Sequence, residues 1–203
     1  PQTGDDVLPF GILEAFTRGV GAGKALLAGT VAHEFTGMPP LREAWSGVDP
    51  VQALADGGLP IEVARDYVAG QSELAWTADV CGQLVTDLTF RVPLLGWADA
   101  RPARTWLYDF RWPAPGLGLS THCLELPFTW DLLGADGVAI VTGDDPPQDL
   151  ADAMHSAWVR FITAGTPGWS TWDGRNARVF GSSLTDTYAA GRRLAEALPI
   201  SPS

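Results

Sequence analysis

Residues 25–31 read ALLAGTV, a run with no charge and only one hydroxyl, at Thr30. A run so short and so apolar is the pattern of a strand covered on both faces, as in a mostly parallel sheet. Working outward, residues 105–112 (TWLYDFRW) and 177–181 (ARVFG) also look like buried strands, each bounded by Gly, Pro or charged turn residues. Trp106, Tyr108, Phe110 and Trp112 share one alternating face of the second run, where core packing accounts for them better than a ligand platform does. Helical patterns separate these strands. Over residues 149–164, Leu150, Met154, Trp158 and Phe161 recur at spacings of four, four and three and form one apolar stripe. Pro146 and Pro147 precede that helix, Asp144 and Asp145 sit near its positive end, and Gly165 follows it. Further helices are expected over 13–19, 60–69, 73–88 and 186–197; in the third of these, Leu74, Ala78, Cys81 and Val85 share a face. Residues 113–147 lack a convincing element apart from a short strand expected at 138–141, and long ordered loops of this kind often carry chemistry. Strands alternating with helices make the fold class α/β.

Composition narrows the function. The 203 residues have the length of one domain, and 46% hydrophobic residues with nine Trp and eight Phe suffice for a sizeable core. The charge balance is 13 basic against 24 acidic residues, a net −11, with no basic run. Such a surface repels phosphate backbones and sets nucleic acid aside as a partner. No stretch approaches the roughly 18 consecutive apolar residues of a membrane span. The opening PQTGDDVLPF also lacks the basic-then-apolar pattern of a signal peptide. A soluble chain is therefore expected, with the cytoplasm slightly favoured, although these residues do not decide the compartment. Cys81 and Cys123 have no metal spacing and are expected to be free buried thiols; three scattered histidines add no ligand pattern, so neither metal nor cofactor is expected.

Those three histidines make the search for a general base short. His155 lies inside the 149–164 helix, where a structural role is expected. His33 adjoins Glu34 just beyond the first strand, and His122 lies in the loop beyond the second. In open parallel sheets catalytic groups gather at the carboxyl ends of strands. Glu34 and His122, delivered there from neighbouring strands, would form a carboxylate–imidazole pair in which the acid fixes the ring tautomer. They are 88 residues apart, so spacing alone leaves open whether they meet or are merely surface loop residues.

Several blocks taken together carry more information. GDDVLP, LLAGTVAHEFTG, TDLTFRVP, TWLYDFRW, THCLELPFTW and LADAMHSAWVRFITAGTPGWSTW resemble, in the same order, successive blocks of the type B carboxylesterase and cholinesterase family. The resemblance runs from about Gly4 to Arg193 and lies in the order of the blocks more than in any one of them. In that family a stretch like GT-x-x-D-E-G leads to the acid of a catalytic triad, which implies Glu34, and the histidine precedes a stretch like LELPF, which implies His122. His33 stands where Asp is common and Phe35 where Gly is common; both changes keep the carboxylate and alter its surroundings. The resemblance further implies that residues 90–97 help wall a substrate gorge.

Type B carboxylesterases have the α/β-hydrolase fold and a triad in chain order Ser, acid, His, with the serine on a G-x-S-x-G turn. No such turn occurs here. GQSEL around Ser72 and GWSTW around Ser170 lack the second glycine and follow Glu34 in the chain. Cys123, beside His122, is set aside as a nucleophile because neighbours in an extended chain point in opposite directions. The expectation is therefore one domain segment over residues 1–203. It is the C-terminal portion of an α/β-hydrolase with an incomplete sheet, whose nucleophile and oxyanion hole come from an N-terminal portion of the same enzyme. Its substrate would be a small carboxylic ester, and the segment alone would be inactive. A non-catalytic binding or adhesion protein on the same fold, and a truncated remnant, stay open beside that reading.

Overall fold

A computed structural model describes residues 4–7, 9–101 and 103–198. Three strands, β1 (Leu26–Val31), β2 (Thr105–Phe110) and β3 (Arg178–Phe180), form a parallel sheet in that order. Leu26 lies opposite Thr105 and Val31 opposite Phe110; Tyr108 lies opposite Arg178. All three expected strands are present, shortened by one or two residues at their ends.

Ten α-helices occur among the described residues: α1 (Ile12–Thr17), α2 (Pro39–Ala44), α3 (Pro50–Asp56), α4 (Ile61–Ala69), α5 (Thr77–Thr86), α6 (Val92–Ala100), α7 (Leu126–Thr129), α8 (Ala139–Thr142), α9 (Gln148–Ala164) and α10 (Ala189–Ala197). A π-helical segment, Asp87–Arg91, joins α5 to α6 into one rod. The helix expected over 73–88 is thus later to start and much longer. Pro93 explains the change of pitch: it has no N–H and its ring crowds the carbonyl four residues back, so the ladder widens just before it. Val92 N–H accordingly reaches Asp87 O, five residues back. The helix α9 ends as its sequence indicates, on Gly165 in the left-handed region at φ 69°.

The strand expected at 138–141 is not formed. Its residues make the single turn α8, in which Thr142 N–H bonds to Val138 O at 3.1 Å and Gly143 N–H to Ala139 O at 2.9 Å. Ile140 is 88% exposed, so its β-branched neighbours have no sheet face to pack on, and strand preference has no effect without one.

β2 is covered on both sides. Trp106 meets Phe161, Tyr108 meets Trp158 and Phe110 meets Phe128, so the aromatic face packs on α9 and α7 as expected. On the other face, Leu107 joins Leu94, Leu95, Ala98 and Tyr188. β1 borders the sheet. Leu26 N–H reaches Arg104 O and Ala32 N–H reaches Phe110 O, so even-numbered residues of β1 turn toward β2 while Leu27, Gly29 and Val31 turn toward the open edge.

Candidate active site

The pairing of β1 and β2 continues past their ends. His33 N–H donates to Ser120 O at 2.9 Å, and His33 and Thr121 form a further parallel bridge. Between β2 and that bridge the chain makes an excursion closed by Ala114 and Leu119, whose own bridge returns it beside β1. Glu34 and His122 are therefore carried out on two strands in matched register.

Their side chains meet. His122 Nδ1 lies 2.5 Å from Glu34 Oε2, and the other carboxylate oxygen accepts the Val31 N–H at 3.1 Å. The acid is 7% exposed and the imidazole 59%. With Nδ1 donating to the carboxylate, the ring presents Nε2 as an acceptor, and Nε2 has no hydrogen-bond partner among the described residues. The acid's turn is itself bonded along α5: Gln83 Nε2 donates to Ala32 O, Phe35 N–H to Thr86 Oγ1 and Gly37 N–H to Asp79 Oδ1. Gly82 lets this segment sit close, since a Cβ there would lie 2.4 Å from the Phe35 carbonyl oxygen.

His33 faces away from the acid. Its Nδ1 accepts the Ser120 N–H at 3.2 Å, stapling the two loops together. Burial first, then the positive charges of Arg111 and Arg91, push the imidazole down to about 4 from its ordinary 6.5. Its sign for stability is fixed: from about pH 6.5 down to about 4 the unfolded chain binds a proton at His33 that the folded chain refuses, so the fold weakens as pH falls through that window. His33→Asn, which keeps an acceptor for Ser120, is expected to flatten that part of the curve in urea unfolding. A slope as steep as that of the wild type would contradict the assignment.

Glu125, three residues after His122, was not singled out from sequence. One of its carboxylate oxygens is buried without a hydrogen-bond partner, and burial, then the Glu34 charge, holds the group above the usual carboxylate range. A lone Glu in LELPF gives no signal of this; only the fold sets it beside another acid. His155 is structural in its contacts, with Nδ1 donating to Thr129 O at 3.0 Å. Ser120 is fully buried and its hydroxyl donates to Phe110 O. Both cysteines are free, but Cys81 is only half-buried and Cys123 is exposed, its left-handed φ of 65° turning it out of the extended path. Partial loss of water around the sulfur, then the charges of Glu125 and Glu34, raise its thiol, which keeps it from the reactive thiolate form.

No family model matches the chain. Among solved structures it is similar to a carboxylesterase of Geobacillus stearothermophilus, with a TM-score of 0.73 at 27% identity over 92% of this chain and 43% of that one. A PNB esterase matches with a TM-score of 0.57 at 26% identity, over 79% of this chain and 34% of its own. An esterase from Clostridium hathewayi that can hydrolyze aliphatic aromatic polyesters matches at 0.57 over 85% of this chain and 37% of its own; at 20% identity it speaks for the fold alone. The chain thus spans less than half the length of each. Its three parallel strands and flanking helices are part of an α/β-hydrolase fold, and the chain is similar to the C-terminal part of type B carboxylesterases.

Proposed function

We propose that this chain supplies the acid and the base of a Ser-Glu-His triad for the hydrolysis of small carboxylic esters, the serine coming from polypeptide upstream of it. The observation that carries the reading is the Glu34–His122 hydrogen bond at the carboxyl ends of two adjacent parallel strands, with Nε2 left to accept. His122 Nε2 takes the serine proton as the hydroxyl attacks the ester carbonyl, and Glu34 stabilises the imidazolium so formed. The same nitrogen then protonates the departing alkoxide, leaving an acyl-enzyme. In the second half it takes a proton from water, which attacks the acyl carbon, and returns that proton to the serine.

The test is an assay of the purified 203-residue chain on an activated aryl ester, alone and joined to its upstream coding sequence. The joined protein should show a serine-dependent burst and the chain alone none, since nucleophile and oxyanion donors contribute most of the rate enhancement. A burst from the isolated chain would overturn the reading. An upstream sequence without a serine elbow would transfer it to the binding-protein alternative.

A further inference from the structure

His122 is held by one hydrogen bond along one edge of its ring and is otherwise largely exposed. A single bond of this kind fixes where Nδ1 sits but leaves the ring free to swing about it, which would carry Nε2 off its target. Two aromatic rings flank the imidazole. Phe35 lies nearly parallel to the imidazole, at 8° with centroids 6.4 Å apart, and Phe90 flanks it at 47° and 6.0 Å. The two phenyl rings also touch each other, at 5.6 Å and 39°.

Both rings stand on fixed supports. Phe35 is anchored by its N–H to Thr86 Oγ1 at 3.0 Å, and that hydroxyl in turn donates to Gly82 O at 3.0 Å. Phe90 projects from the π-helical segment, whose neighbouring Asp87 and Arg91 are buried. An aromatic face also carries the negative end of a ring quadrupole, which favours an adjacent cation such as a transient imidazolium.

From this we infer that Phe35 is a positioning residue: with Phe90 it keeps the imidazole of His122 in the plane that holds Nδ1 on Glu34 and aims Nε2 at the nucleophile. The inference rests on the reading of His122 as general base. Phe35 is 43% exposed, so changing it leaves most packing intact.

Two measurements test it. On this chain, proton NMR should show a far-downfield resonance for the His122 Nδ1–H, assigned by its loss in Glu34→Gln. Phe35→Leu, and Phe35→Met beside it, should broaden that resonance away, while Phe35→Tyr keeps it. In the chain joined to its upstream sequence, Phe35→Leu should lower kcat by about tenfold with KM nearly unchanged, the size expected of a modest misplacement of the base; Phe35→Tyr should recover most of it. Thermal melts of all variants identify any that fail to fold, and Phe35→Met then replaces Phe35→Leu. A Phe35→Leu protein with the wild-type resonance and kcat, or a Phe35→Tyr protein that falls as far as Phe35→Leu, would overturn the inference. Turnover that survives His122→Ala would instead refute the general-base reading, and the resonance would still report whether Phe35 orders the ring.

Discussion

In the chain joined to its upstream sequence, His122→Ala is expected to lower kcat/KM on the order of 10⁴-fold or more, and Glu34→Gln by a comparable factor. On the proposed mechanism, alanine removes the group that accepts the serine proton. The glutamine acts more subtly. Glu34 Oε1 accepts the Val31 N–H while Oε2 faces His122 Nδ1. A glutamine there must keep its carbonyl oxygen on Val31, so its NH2 turns toward Nδ1. That donor forces Nδ1 to accept and moves the ring proton to Nε2, where it blocks base catalysis. His155→Ala is the control: it loses one hydrogen bond to Thr129 O, remote from this chemistry, and should keep near wild-type turnover. Steady-state kinetics on the three variants decide the matter; equal losses at His122 and His155 would mean that the wrong histidine had been assigned.

Arg91→Met should destabilise the chain by about 3–5 kcal/mol, because it strands buried carboxylates. The guanidinium donates to Asp109 Oδ1 at 2.9 Å and to Asp109 Oδ2 at 3.1 Å, and to Thr187 O at 2.7 Å. Its Nε lies 3.3 Å from Asp87 Oδ1, and it stacks over the Tyr188 ring at 4.3 Å. Burial alone would push the Asp109 carboxyl up; Arg91, then Arg111, outweigh it and hold it below the usual carboxylate range. Asp87 has a smaller share of the guanidinium, and burial wins there, with Tyr67 and Gln83 donating to its oxygens. Urea unfolding of Arg91→Met measures the loss. Replacing Asp109 by Leu at the same time should recover part of it, since no fully buried carboxylate then stays unpaired against β2. A single-variant loss below about 1 kcal/mol would show that water or Arg111 already neutralises Asp109.

Much of this was legible in the chain. The three parallel strands announced themselves as short, mostly apolar runs between turn residues, and α9 because its stripe and its Gly165 cap agree. The pair α2 and α3 is hard to read from sequence, although α3 has a plain start signal: Asp49 accepts the Gln52 N–H at 2.8 Å and Pro50 stands at the first turn. Both helices are too short for a periodic stripe to emerge. Strand ends nominate Glu34 and His122, the resemblance to the carboxylesterase family implies the same two residues, and the bond between them follows from a register that extends past those ends. Phe35 stands out only as a departure from the family pattern and Phe90 only as the start of the implied gorge wall, neither of which places them beside the imidazole, and Glu125 has no signal. Phe90 depends on a π-helical segment that shifts it relative to an ordinary helix, and Glu125 on a neighbour from a distant strand. His33 was noted as a departure from the family pattern, but which way its ring points is set by the Ser120 amide.

The bond from the Val31 N–H to Glu34 sets a limit on how the sheet can grow. Any strand laid along the open edge of β1 finds outward N–H groups at Leu27 and Gly29, but at Val31 the donor is already taken by the acid. A strand paired from that side lacks one ladder hydrogen bond at the last residue of β1. The acid bonded to His122 thus also loosens the edge of the sheet at the carboxyl end of β1.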